Sequence, residues 1–396
     1  MENIYLYMII ALAFLAIADL VVGISNDAVN FLNSAIGSKA ISFRTIMIVA
    51  SIGVAIGAIF SSGMMEVARK GIFNPGEFMF NEIMIIFMAV MITDILLLDV
   101  FNSLGMPTST TVSIVFELLG AAVAMALIKI AAGGGDFSEV VNYINTSKAS
   151  QIIFGILLSV VVAFSIGAIV QWVSRLLLSY DFQKKAVWVG ALFSGIALTA
   201  ITYFIFMKGL KGTSYAKQSF DIIGGGTMKD FLENQVLSIV LVSSIIWSLL
   251  SYILIVFAKT NIYTLIIIVG TFALALAFAG NDLVNFIGVP VAAFNAYTEW
   301  SASGLSAASF PMDVLASKVP TNNWLLFGAG MVMVITLWFS TKAKDVVKTS
   351  LDLSNQGDTK ERFQPNFLSR GFVRFAMGAS KVTSFILPIS WQDKIE

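Results

Sequence analysis

The sequence predicts an all-α, polytopic membrane protein carrying an internal duplication, and three observations carry that prediction. Of its 396 residues 58% are hydrophobic and only 12% charged, against about 25% charged in a soluble domain. Long apolar runs recur, among them 83–101, 151–173 and 236–258, each long enough to cross about 30 Å of hydrocarbon as a helix. Two polar strings, Asn26-Asp27-Ala28-Val29-Asn30 and Asn281-Asp282-Leu283-Val284-Asn285, close such runs in the same Asn-Asp-x-x-Asn frame, 255 residues apart. A buried carboxylate or amide costs several kcal/mol, roughly, unless something pairs with it. Carrying that cost twice in one register points to a duplicated ion or substrate site.

Taken in order, the predicted spans are 4–24, 45–60, 83–101, 151–173, 186–207, 236–258, 262–280 and 322–340. The first lacks a basic leader and a small-residue cleavage site, and is expected to be a retained span. Glu66, Arg69 and Lys70, past the second run, read as a salt-bridged loop. The stretch Leu104–Ala132 is apolar yet holds Gly105, Pro107, Ser109-Thr110-Thr111 and Glu117. A proline followed by hydroxyl residues favours a broken or re-entrant helix, which survives at depth only where protein or water lines it. Polar connectors fall at 133–150, 174–185 and 208–235, the last with a flexible Gly224-Gly225-Gly226. Arg175, Lys184 and Lys185, and the basic tail from Lys342 onward, suggest the cytoplasmic side.

The expected organisation is a first membrane repeat over 1–207, with the re-entrant segment at 104–132. A polar loop at 208–235, a second and incomplete repeat at 236–340, and a polar tail at 341–396 follow. In that tail Phe363, Phe367, Leu368, Phe372, Phe375 and Met377 recur near helical spacing among Arg370, Arg374 and Lys381. Such a pattern suits a helix lying in the bilayer interface.

Composition also excludes. With no cysteine and no histidine, disulfides, thiolate or imidazole metal ligation and histidine proton relays are out. Twenty-four basic residues balance twenty-four acidic ones, so nothing points to nucleic acid as a partner. No cofactor is expected.

Asn26, Asn30 and Asn33 sit at i, i+4 and i+7, so a helix aligns three amides on one stripe with Asp27 beside it. Gly23, Ser25 and the asparagines are poor helix-interior residues. They suggest local unwinding, freeing backbone carbonyls. One carboxylate with amide and carbonyl oxygens is the chemistry of a hard cation such as Na⁺, and Asn281, Asp282 and Asn285 repeat the offer. The plainer alternative is hydrogen-bonded glue between helices, and the duplication in register favours the ion site over it. Ser109, Thr110 and Thr111 at a helix start present hydroxyls with unpaired N–H groups, an anion site by construction; a simple N-cap is the alternative. No Lys or Arg lies between Phe101 and Ile128, so cations and dipoles must neutralise such an anion. Of the other intramembrane acids, Asp19, Asp94, Asp99 and Glu117, the pair Asp94 and Asp99 lies about 140° apart round a helix. Each could orient a neighbouring polar group or ferry a proton, and the expectation is that they support neighbouring polar groups.

These residues carry a family resemblance. Asn26-Asp27-x-x-Asn30, Asn281-Asp282-x-x-Asn285-x-x-Gly288 and Gly105-x-Pro107-x-Ser109-Thr110-Thr111 resemble the motifs of the inorganic phosphate transporter (PiT) family. The match covers about 20–130 and 262–295. It implies an inverted-repeat transporter bundle, often dimeric, with re-entrant or broken helices, carrying phosphate in symport with Na⁺ or H⁺. It also implies that Asp27 and Asp282, with their Asn neighbours, bind coupling cations while Ser109, Thr110 and Thr111 hold phosphate. The histidine that usually follows Ser-Thr-Thr is Val112, which tilts the expectation toward Na⁺. A second Ser-Thr-Thr is missing: the same offset lands on Gln364-Pro365-Asn366. The expectation is that it lies beyond residue 396 and that 1–396 alone transports poorly. Sulfate or another oxyanion, H⁺ coupling, and an intramembrane enzyme using Asp27 and Asp282 stand as alternatives. The expected setting is the inner or plasma membrane.

Overall fold

A computed structural model of the chain describes residues 2–61, 64–65, 71–179, 182, 185–207, 218–219, 226–316 and 319–354. Toward the C-terminus it describes 367, 370, 371, 373–375, 377 and 378. The expectations placed on Glu66, Arg69, Lys70, Lys184, Gly224, Gly225, Phe363, Gln364-Pro365-Asn366, Leu368, Phe372 and Lys381 concern residues outside that set.

The described chain is helical throughout its long elements. In order these are α1 (Glu2–Ser38), α2 (Phe43–Ile59), α3 (Phe80–Leu104), α4 (Thr110–Gly133), the short α5 (Val140–Tyr143), α6 (Thr146–Leu178), α7 (Val187–Ile205), α8 (Met228–Asn234), α9 (Val236–Val256), α10 (Ile262–Ser303), α11 (Asn323–Phe339) and α12 (Thr341–Ser354). A two-residue antiparallel pairing joins Met64–Met65 to Val319–Pro320. Seven helices, α1, α3, α4, α6, α7, α9 and α10, are long and apolar enough to cross a membrane, and the bent pair α11–α12 makes an eighth candidate. The chain is an all-α, polytopic membrane protein.

The chain falls into two compact units, Met1–Ser350 and Leu351–Glu396. The first extends past residue 340 because Ala343, Val346, Val347 and Thr349 of α12 are buried. In the second, the described residues from 367 onward are helical, and Phe367, Val373, Phe375 and Met377 are exposed.

Within the first unit, small residues bring the central helices close. Gly53 and Gly57, one turn apart on α2, face the α10 backbone; a Cβ at Gly53 would sit 2.7 Å from the Phe272 carbonyl oxygen. At Gly57 it would run into the Leu276 carbonyl. This is the small-x-x-x-small contact that membrane helices use for close approach. Gly23 of α1 leaves room for the Phe286 ring of α10. At one end, Tyr5, Phe80 and Trp300 tie α1, α3 and α10 together, with Phe80 and Trp300 stacked at 4.5 Å. No residue of α6 is buried against the chain.

Two predicted features differ from the structure. The Asn-Asp strings do not interrupt their helices: α1 and α10 run unbroken through both. Gly23 serves packing rather than unwinding, and the polar side chains find partners that let them stay helical. Ser25 donates to the Val21 carbonyl and Asn281 to the Ala277 carbonyl, each one turn back. The break near 104–132 is confined to its start. Gly105 closes α3 in the left-handed conformation, φ 65°, and α4 then continues for a full 24 residues.

Candidate functional site

The site is assembled around one turn of α1. Asn26, wholly buried, donates from Nδ2 to Asn102 Oδ1 (2.8 Å) and to the Met106 carbonyl (3.1 Å). Its Oδ1 accepts the Thr108 N–H at 2.7 Å. Asn102 in turn donates to the Val22 carbonyl at 2.7 Å. The irregular stretch between α3 and α4, whose backbone groups have no helical partners, is thereby satisfied from α1. Asn26 clips the break in place.

That clip aims the start of α4. Ser109 is its N-cap, accepting the Val112 N–H at 3.3 Å. The next two hydroxyls point to different helices. Thr110 Oγ1 donates to Asp27 Oδ2 on α1 at 3.1 Å, and both residues are buried. Thr111 Oγ1 donates to Asp282 Oδ1 on α10 at 3.5 Å and accepts from Asn285 Nδ2 at 2.8 Å. Asn285 also donates to Asp282 Oδ1 at 3.3 Å. The first turn of α4, with N–H groups that have no intrahelical acceptor, thus lies between the two duplicated carboxylates.

Of the residues singled out from sequence, the structure joins Asn26, Asp27, Asp282, Asn285, Thr110 and Thr111. It leaves Asn30, Asn281 and Ser109 on exposed positions at the margin. Asn33 donates to Ser350 Oγ at 3.0 Å, tying α1 to α12.

Sequence reasoning missed a second helix break at the same turn. α11 and α12 are bent by 66° about Ser340. Ser340 Oγ shares a 2.8 Å hydrogen bond with Ser25 Oγ and accepts the Ala343 N–H at 3.1 Å, as an N-cap does. Ser25, Asn26 and Asp27 are therefore met in succession by Ser340, by the 106–108 backbone and by Thr110. A Ser-Thr step within the chain, Ser340-Thr341, meets α1 through Ser340. The signal was present as Ser-Thr opening the polar helix 341–354 after an apolar run, but the fixed offset pointed elsewhere. The next residue, Lys342, pairs with Asp99 of α3 at 2.5 Å.

The model of the phosphate transporter family matches residues 24–349. A candidate phosphate permease of Pyrococcus furiosus is 25% identical over 341 residues, covering 84% of this chain and 74% of that protein. One from Thermococcus kodakarensis is 25% identical over 321 residues, covering 78% and 69%. Among solved structures, a sodium-dependent phosphate transporter shares the fold with a TM-score of 0.62 at 17% identity, over 90% of this chain and 80% of that one.

Proposed function

The chain belongs to the phosphate transporter family, and from that premise we propose that it carries inorganic phosphate across the membrane in symport with Na⁺. Membership places it among carriers rather than enzymes, and both Asp-Asn motifs are then read as ion sites. The observation that carries the reading is the wedge of Thr110 and Thr111 between Asp27 and Asp282. An anion at the start of α4 gains unpaired N–H groups and the helix dipole, and the Thr110 and Thr111 hydroxyls can turn to it once cations replace them at Asp27 and Asp282. The two carboxylates beside it would repel that anion unless each holds a cation. Anion and cations therefore favour one another at the same place, which is the thermodynamic content of symport.

Energetics agree. Each negative charge moved inward against 100 mV costs about 2.3 kcal/mol, and one cation per Asp-Asn motif would cancel the charge of a phosphate dianion. In this reading Asp27 with Asn30, and Asp282 with Asn281 and Asn285, supply oxygens to Na⁺. Asn26 holds the break. Ser109, Thr110 and Thr111 take the phosphate, with Ser340 and Thr341 closing it from the other break.

The test is uptake into proteoliposomes. Purified protein should accumulate labelled phosphate under an inward Na⁺ gradient, with a saturable rate that collapses when choline replaces Na⁺. Sulfate should compete poorly. Accumulation that follows an H⁺ gradient and ignores Na⁺ would remove the Na⁺ assignment, and preferential sulfate uptake would remove phosphate.

A further inference from the structure

Three carboxyl groups outside the paired motifs meet in the interior: Asp19 on α1, Asp94 on α3 and Glu117 on α4. Asp19 and Asp94 are wholly buried. Ser113 lies between two of them, its hydroxyl 2.8 Å from Asp94 Oδ1 and 2.7 Å from Glu117 Oε1. A hydroxyl has one proton and donates to one oxygen only. Both contacts have the length of an O–H···O hydrogen bond, so the second needs a proton on a carboxyl.

Asp19 makes the same demand more strongly. Neither of its oxygens meets a donor, although the carboxyl faces Asp94; Asp94 Oδ2 and Glu117 Oε2 are also without one. Among the described residues no basic side chain touches the cluster: Lys129 is engaged by Glu82 and Lys342 by Asp99. Three ionised carboxylates side by side would repel one another in a low-dielectric interior with no counter-charge. A metal does not fit either, since no group of three acidic side chains among the described residues is arranged to hold one.

We propose that Asp19, Asp94 and Glu117, bridged by Ser113, form a proton-binding site that shares at least one proton and releases it when a cation fills the neighbouring site at Asp27. The other titratable groups facing it are Asp27, eight residues along α1, and Asp282 of α10 beyond. Eight residues of helix span about 12 Å, within range for charges in a poorly screened interior. The negative charge at Asp27 helps the cluster keep its proton. A cation there cancels that charge, and linkage makes the effect reciprocal. Glu117, with Thr93, Ser109 and Ser113, also lines a cavity of about 660 Å³, a route for exchange.

The release step rests on the Na⁺ reading above; the proton itself does not. Infrared spectra of the full chain in detergent at neutral pH should contain a protonated-carboxyl C=O band that is lost at alkaline pH and in Asp19→Asn/Asp94→Asn/Glu117→Gln. Absence of an alkali-sensitive band in the wild type overturns the proposal, whether or not the variant folds. Adding NaCl, but not choline chloride, in weak buffer with a pH dye should release protons from the wild type and not from the variant. If ²²Na⁺ binds without proton release, the coupling is wrong. If ²²Na⁺ does not bind, the Na⁺ reading fails while the infrared band still decides the proton.

Discussion

Asp27 and Asp282 lie 255 residues apart in the chain, yet adjacent hydroxyls of a single helix turn reach them both, Thr110 at 3.1 Å and Thr111 at 3.5 Å. Any movement of the α4 start is therefore felt at both carboxylates. Under the proposed assignment, the ion and anion sites would share these side chains rather than merely neighbour one another.

Asp27→Asn and Asp282→Asn should each abolish Na⁺-driven phosphate uptake while the protein still folds and inserts. The amide keeps the shape but removes the formal charge a cation site depends on. Proteoliposome uptake, with size-exclusion profiles as the folding control, should fall at least roughly tenfold, about 1.4 kcal/mol. Wild-type rates in both variants would end the cation-site assignment.

Thr110→Val and Thr111→Val should weaken phosphate binding, and unequally. A hydrogen bond to a charged group contributes about 1.5–3 kcal/mol, so each should cost roughly ten- to a hundredfold in affinity. Thr111→Val also removes the shorter of the two acceptors of Asn285 and should be the more damaging. Ser109→Ala should weaken phosphate binding too, and should also cost about 1 kcal/mol of stability as a lost N-cap. Equal, small effects on phosphate affinity at all three positions would make the hydroxyls caps and nothing more.

Asn26→Ala should destabilise the fold rather than merely slow transport. It leaves the Thr108 N–H and the Met106 carbonyl without their partner, and each unsatisfied buried group costs about 1–3 kcal/mol. Thermal unfolding in detergent should shift down clearly. A variant as stable as wild type but unable to transport would instead place Asn26 among the direct ligands.

Ser340→Ala removes the hydroxyl that meets Ser25 and caps α12. Phosphate affinity should fall by about tenfold if that break closes over the substrate, by the same hydrogen-bond magnitude. Unchanged affinity with lowered stability would reduce the Ser340-Thr341 step to a cap.

Gly23→Leu should fail to pack, because its side chain would enter the space of the Phe286 ring. Overpacking costs about 1–3 kcal/mol, occasionally more. Gly23→Leu combined with Phe286→Ala should recover part of the loss in thermal stability. No recovery would mean that Gly23 is needed for its backbone and not for its size.

The sequence by itself determined the membrane class, because apolar runs of span length admit no other solvent. It also marked where polar side chains converge, because Asn-Asp-x-x-Asn twice in register and Pro-x-Ser-Thr-Thr have no reason to sit in hydrocarbon except a ligand or a partner. The close contact of α2 with α10 also has a sequence signal, Gly53-x-x-x-Gly57, on which none of the expectations above rests. Only the tertiary structure decided which of these polar groups are tied into the fold and which are left at its margin. Asn26 and Asn30 belong to one motif, yet Asn26 is spent on the backbone of the α3–α4 break while Asn30 stays exposed. The unbroken course of α1 and α10, the meeting of Asp19 with Asp94 and Glu117, and Ser340 against Ser25 were equally out of reach. Each depends on a partner from a distant helix, and helix packing in a membrane is set by close shape fit and buried hydrogen bonds, which no local pattern in one helix records.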